Sequence, residues 1–373
     1  MIYFNHAATS WPKPEEVKTA YMEAMNGLPS GQFRSAGVSD SGEIFGTCRA
    51  RLARLLGTGE TDRIFFTSGS TESLNLLFAG LKVPAPSIIT TATEHNSVLR
   101  PLYNLTQIKG EPVVLPCDER GLLDPALFEE AAKKGKARAI VVNHCSNVTG
   151  AVQAMASIGE IAKRYGLLFV VDASQSAGCL PVEADLWRAD AVAFTGHKSL
   201  LGPQGTGGFY LRSGVPFVPA KFGGTGLDSR RIVYEDGDFE LEVGTQNACG
   251  IAALSAAAEL LLSIGVPRIR EKEKELTGRL KEGFRALPGL RLIDAGEDQG
   301  PVVSVQPLSL KPSDLAYILQ NSYGIVTRAG LQCAPLIHEY LGTVPEGTLR
   351  ISVGWSNTIE EIETLLGAME EIL

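Results

Sequence analysis

Residues 167–175 read Leu-Leu-Phe-Val-Val-Asp-Ala-Ser-Gln: an apolar run of strand length, rich in β-branched residues, that closes on the carboxylate of Asp172. A run that is apolar at every position fits a strand buried on both faces, as in a parallel sheet covered by helices. Working outward, RIFFTSG (63–69), SIITTAT (87–93), AIVVNH (139–144), AVAFTG (191–196) and GGFYL (207–211) repeat the pattern. Helical segments separate them, such as Ala154 to Tyr165, which places Ile158, Ile161, Ala162 and Tyr165 on one face. This alternation predicts an α/β fold with a mostly parallel sheet between helices.

At 373 residues the chain exceeds the roughly 250–300 residues at which one core stops growing, so two domains are expected. The texture changes after about Leu254. A charged amphipathic helix (Arg268 to Leu287) precedes strand-like runs at Val302–Val305 and Leu349–Val353. A last helix opens with the capping pair Thr358 and Glu361 and carries Ile359, Ile362, Leu366, Met369 and Leu373 on its apolar face. The expected division is a large α/β domain over 15–254 and a smaller α+β domain built from 1–14 and 255–373.

A net charge of −8 gives no general attraction to nucleic acid or to an anionic membrane, so any anionic ligand must be held by a local site. The apolar stretch from Ala248 to Val266 is interrupted by Glu259 and stopped by Gly265 and Pro267, which reads as a buried helix and not a membrane span. Six cysteines (Cys48, Cys117, Cys145, Cys179, Cys249, Cys333) show no CxxC and no close His/Cys cluster, which argues against a structural zinc site and against a disulfide framework. The opening MIYFNHAATSWPKP lacks a basic start followed by an apolar run, so no signal peptide is expected and a reducing cytoplasm is the expected location.

Three strand-end segments depart from plain packing, and ligands of open α/β sheets bind beyond the carboxyl ends of strands. Thr67-Ser68-Gly69-Ser70-Thr71-Glu72 precedes a helix expected over Ser73 to Ala79. Small residues at a helix start leave N–H groups for an anion, although an ordinary N-cap has the same composition. Asp172 ends a buried strand, where a carboxylate needs a cationic partner such as a protonated pyridine nitrogen; a salt bridge or a cap would serve as well. Phe194-Thr195-Gly196-His197-Lys198-Ser199 places a lysine at another strand end. Desolvation there lowers the amine's pKa and frees it for a Schiff base. Each segment alone is weak. Together they supply what pyridoxal phosphate needs: a lysine, a pyridinium partner and a phosphate cup.

With GHK at 196–198 following VDASQ at 171–175, the chain resembles the fold-type I pyridoxal-phosphate enzymes of the class V aminotransferase group, and most of all the cysteine desulfurases. The resemblance runs from Tyr3-Phe4-Asn5-His6-Ala7-Ala8-Thr9 to Arg350-Ile351-Ser352 and Asn357-Thr358. It implies a sheet of the seven-stranded type and pyridoxal 5'-phosphate held by Lys198. Asp172 would sit at the ring nitrogen, with Gln175 and Asn147 at the phenolic oxygen. His95 would stack on the ring and relay protons, and Ser70, Thr71, Thr195 and His197 would surround the phosphate. Thr245, in Glu242-Val243-Gly244-Thr245-Gln246-Asn247, would reach the phosphate of a neighbouring subunit, which implies a homodimer.

The segment Thr327-Arg328-Ala329-Gly330-Leu331-Gln332-Cys333-Ala334-Pro335 resembles the cysteine-bearing loop of the desulfurases. That likeness implies Cys333 as the nucleophile toward the sulfur of L-cysteine, although a buried structural thiol is the commoner fate of an intracellular cysteine. Arg350 would bind the substrate carboxylate, with Arg328 and Asn147 assisting. Leu331 and Gln332 stand where histidines often precede the cysteine in this family, and the loop lacks a long serine-rich insertion. The expected reaction converts L-cysteine to L-alanine with a persulfide on Cys333, for delivery to a sulfur-acceptor protein. Alternatives on the same fold are a selenocysteine lyase acting on L-selenocysteine and a cysteine or cystine β-lyase. The non-enzymatic alternative is a cofactor-binding sulfur-relay partner.

Overall fold

The computed structural model describes residues 1–27, 41–105, 108, 110–224, 230, 232–233 and 241–373. Its centre is a seven-stranded sheet. The strands run in the order Ile64–Thr67, Gly207–Leu211, Ala191–Thr195, Leu168–Asp172, Ala139–Asn143, Ile88–Thr91 and Val113–Leu115. Gly207–Leu211 pairs antiparallel with both neighbours, and the remaining pairings are parallel. Six of the seven match apolar runs in the sequence. Val113–Leu115, a three-residue strand at the sheet edge, is too short to show a period.

Side-chain alternation splits the central strands between two cores. Ile140, Val142, Phe169, Val171, Val192 and Phe194 pack on one face with Leu52, Leu56, Ile158 and Leu254. Val141, Val170, Ala191, Ala193 and Phe209 pack on the other with Leu74, Leu77, Val98 and Leu102. Both faces being covered explains why these strands read as continuous apolar runs. The helix Met155–Arg164 lies so close to its neighbour that a Cβ on Gly159 would stand 2.0 Å from the Trp187 carbonyl oxygen.

A third core joins Phe4, Leu276, Leu280, Phe284, Val303, Val305, Leu315, Leu349, Ile351, Ile362 and Met369. Its frame is a four-stranded antiparallel sheet in the order Arg328–Gly330, Thr348–Ser352, Val302–Pro307 and Leu290–Ile293. The strand Ile2–Tyr3 pairs with Ile325–Val326, which ties the N-terminal segment to this core. The expected capping box forms: Thr358 accepts from the Glu361 N–H, and Glu361 accepts from the Thr358 N–H. The helix Ala248–Ile264 runs unbroken through 254 and buries Leu254, Ala257, Ala258 and Leu261 in the first core. It meets the helix Val266–Ala286 at an angle of 80°, and no single helix among the described residues is long and apolar enough to cross a membrane.

Behind the strand ends, the carboxyl group of Glu94 is fully buried. Its Oε1 accepts from Thr91 Oγ1 at 2.7 Å and from the Asn143 N–H at 3.1 Å, while Oε2 has no partner. Burial, with the nearby Asp172 charge adding to it, raises its pKa from 4.5 to about 8.

Two stability outcomes follow from this packing. Gly159→Ala gains roughly 1 kcal/mol of helix propensity but drives a methyl group into backbone, which costs about 1–3 kcal/mol; a Tm below wild type is expected. Glu94 holds its proton in the folded chain across a pH range where the unfolded chain has lost it. Its burial therefore costs stability increasingly as pH rises from 4.5 toward 8. Glu94→Gln keeps the acceptor oxygen, so its Tm should equal wild type near about pH 5 and exceed it progressively toward about pH 8.

Candidate active site

The parallel strands end in polar side chains (Thr67, Thr91, Asn143, Asp172 and Thr195), and beyond them opens a cavity of about 490 Å³. Ser70, Thr71, His95, Asn147, Asp172, Gln175, Thr195, His197, Lys198, Arg328, Cys333 and Arg350 all line it. Thr245 does not. It is exposed, in an adjacent cavity of about 180 Å³ that shares Ser68, Glu72 and Gly205 with the first.

Asp172 is 4% exposed. Its Oδ1 accepts from the Ser174 N–H at 2.9 Å, Ser174 Oγ at 2.5 Å and, more weakly, Ser70 Oγ at 3.4 Å. All three bonds fall on one oxygen, which leaves Oδ2 to meet a cation inside the cavity. Lys198 stands near it, and burial lowers its amine to about 8 against the opposing pull of Asp172. The peptide carbonyl just before Lys198, that of His197, accepts from the Ser10 N–H, Thr9 Oγ1 and Lys13 Nζ, so the N-terminal segment holds the lysine's backbone.

His95 N-caps the helix Asn96–Asn104. Its Nδ1 accepts from the Ser97 N–H at 3.0 Å, which places the proton of the neutral ring on Nε2. Burial, reinforced by the Lys198 charge, lowers its pKa to about 4, so the ring is neutral at physiological pH.

The helix expected from Ser73 begins at Ser70 (Ser70–Leu81), so Ser70 and Thr71 lie in its first turn. Gly69 precedes it with φ 153°, and a Cβ on Gly207 would come within 2.5 Å of the Gly69 Cα; both positions require glycine. The N–H groups of Ser70 and Thr71 have no acceptor among the described residues, which suits an anion.

Arg350 is 3% exposed and, among the described residues, faces no carboxylate. Nη1 donates to the Asn147 carbonyl at 2.9 Å and Nη2 to Asn5 Oδ1 at 3.0 Å, while Nε has no partner. Burial and the neighbouring Arg328 lower its pKa to about 10. A buried guanidinium without an anion is costly, and a ligand carboxylate would satisfy it. Asn147 Oδ1 and His197 Nδ1, of residues that line the same cavity, are also buried without partners.

Cys333 is exposed and lines the cavity, with its carbonyl accepting from the Asn96 N–H at 2.7 Å. The other thiols differ in setting. Cys48, Cys145 and Cys179 are buried and Cys117 is half-buried; burial pushes Cys48, Cys117 and Cys145 up to about 12, and Cys179 well above its usual range. The sequence reading gave no role to Asn5, Asn143 or Ser174. Ser174 was detectable, since Asp-x-Ser is the pattern of an Asx turn. Asn5 and Asn143 carry no such signal.

The family described as Aminotransferase class-V matches residues 2–365. A probable cysteine desulfurase of Pyrococcus abyssi is 33% identical over all of this chain and 94% of its own length. One of Methanothermobacter thermautotrophicus is 34% identical over 84% of this chain and 80% of its own length. Among solved structures, the apo cysteine desulfurase of Thermococcus onnurineus NA1 superposes with a TM-score of 0.88 at 32% identity, covering 100% of this chain and 94% of that one. The cysteine desulfurase CsdA (S-sulfonic acid) of Escherichia coli gives 0.87 at 27%, covering 99% and 94%. The fold is that of the fold-type I pyridoxal-phosphate enzymes, and the chain belongs to the class V aminotransferase family, in its cysteine desulfurase-like group.

Proposed function

We propose that this protein is a cysteine desulfurase that converts L-cysteine to L-alanine and retains the sulfur as a persulfide on Cys333. The observation that carries the reading is an exposed thiol and a buried, anion-less guanidinium lining the same cavity as Lys198 and Asp172. A transaminase has no use for the thiol.

The residues fit pyridoxal 5'-phosphate. Free N–H groups at Ser70 and Thr71 suit its phosphate, with Thr195 and His197 alongside. The open Oδ2 of Asp172 suits a ring N–H, the amine of Lys198 suits its aldehyde, and the His95 ring suits its face. Asn147 Nδ2 donates to the Gln332 carbonyl at 2.7 Å and Gln175 Nε2 to the Ala7 carbonyl at 3.0 Å. Each amide nitrogen keeps a second N–H for the phenolic oxygen. The cofactor supplies an electron sink that makes the substrate Cα–H acidic.

Around it, Arg350 binds the substrate carboxylate and thereby orients the Cα–H bond toward Lys198, with Arg328 at the rim. Lys198, about half of it neutral near pH 8, takes that proton. The Cys333 thiolate then attacks the substrate sulfur: the S–S bond forms, the Cβ–S bond breaks, Cβ takes up one proton, and Lys198 returns the proton it took from Cα, which gives alanine and a persulfide on Cys333. His95 relays protons through Nε2.

In this reading 15–254 carries Lys198 and Asp172, while the smaller unit (1–14 and 255–373) brings Cys333 and Arg350 to them. The exposed Thr245 serves the phosphate of a second subunit in a homodimer. A reducing cytoplasm suits six unpaired cysteines, and a protein thiol is the proposed acceptor.

With L-cysteine and a reductant, wild type should release alanine and sulfide, and Cys333→Ala should fall to the level of cofactor alone. Pyruvate from wild type, or alanine production indifferent to Cys333, would overturn the assignment in favour of a β-lyase or a selenocysteine lyase. Arg350→Lys keeps the charge but loses the planar fork. Losing one charge-assisted hydrogen bond, about 1.5–3 kcal/mol, should raise KM for L-cysteine roughly tenfold or more, and an unchanged KM would remove Arg350 from the carboxylate site.

A further inference from the structure

Gln332 and Cys333 are consecutive and opposite in setting: Gln332 is 5% exposed, and Cys333 is exposed. Both have positive φ, 43° and 61°. Two non-glycine residues in succession hold that conformation only where their surroundings impose it. The bonds that impose it converge on Gln332. Its carbonyl accepts from Asn147 Nδ2 at 2.7 Å, and its Nε2 donates to the Thr348 carbonyl at 2.9 Å. Its Oε1 accepts from Thr348 Oγ1 at 3.4 Å.

The anchoring groups also belong to the setting of Arg350. Thr348 lies two residues before it on the strand Thr348–Ser352, and the Asn147 carbonyl accepts from its Nη1 at 2.9 Å. An amide has no basic nitrogen with which to deprotonate the thiol, so whatever Gln332 does for Cys333 it does by geometry.

We propose that Gln332 is a positioning residue: it locks the Cys333 backbone in its left-handed turn and ties the thiol to the framework that orients the carboxylate-binding Arg350. The main-chain carbonyl at 332 closes one chain of hydrogen bonds, Arg350 to Asn147 to residue 332, and the Gln332 side chain adds the tie to Thr348 that fixes where that carbonyl and the following thiol stand. This inference rests on the desulfurase reading, since it concerns the nucleophile of that reaction. A displacement of about 1 Å at a reacting centre can cost on the order of a hundredfold in rate, so the anchor should act on turnover more than on binding.

The test uses Gln332→Met, which keeps length and bulk without the polar bonds, and Gln332→Glu, which keeps an acceptor for Thr348 Oγ1 but cannot donate to its carbonyl. Alanine formation from L-cysteine by the holoenzyme is measured together with Tm. The expected result for Gln332→Met is a fall in kcat of about tenfold or more, with KM for L-cysteine within about twofold and Tm little changed; Gln332→Glu, which turns a carboxylate oxygen toward the Thr348 carbonyl, should lose at least as much kcat. A kcat within about twofold of wild type in Gln332→Met would overturn the proposal. So would kcat, KM and Tm deteriorating together in both variants, the mark of a merely structural amide. Absence of alanine from wild type would instead remove the desulfurase reading itself.

Discussion

The site depends on a carboxylate kept at the end of a buried strand. Asp172 could not hold a charge there without local donors, and Ser174 supplies two of them to one oxygen. The second oxygen stays open, so the carboxylate is at once solvated by the chain and available to a cation. Lys198 answers from the neighbouring strand end. Burial weakens its hold on a proton, and the charge of Asp172 limits how far that goes. Removing the serine's contribution would disturb both groups, because the strands Leu168–Asp172 and Ala191–Thr195 pair directly and keep them in fixed register.

The second sheet brings what the first cannot supply. Arg350 sits on the strand Thr348–Ser352, packed over the third core, yet its guanidinium reaches across to the Asn147 carbonyl. Asn5, from the N-terminal segment, holds the other side. Three parts of the chain far apart in sequence thus meet around one cation. Each meeting is a hydrogen bond to backbone or amide, not to a carboxylate, which leaves the positive charge for a ligand.

How much of this the sequence disclosed follows from range. The six long strands were legible because burial on both faces writes an unbroken apolar run, and Thr358 with Glu361 was legible because a capping box is local. Asp172 and Lys198 stood out as polar residues closing such runs. The helix start at Ser70 instead of Ser73 was missed because the turn before it has the composition of a loop. Asn5 was invisible for a different reason: its role is defined by a partner 345 residues away, and no periodicity encodes that. The left-handed backbone of Gln332 and Cys333 was equally closed to inspection, since consecutive residues of that conformation without glycine leave no compositional mark.

The contrast among the cysteines has a consequence for fidelity. A sulfane sulfur is an electrophile that any thiolate can accept, so a protein that carries one risks scrambling it among its own side chains. Cys48, Cys117, Cys145 and Cys179 hold their protons far above neutral pH, and a protonated thiol is a poor acceptor. The burial that packs these four residues as small hydrophobes also makes them chemically silent. Under the proposed reaction, a persulfide on Cys333 would be shielded from capture by these four internal thiols.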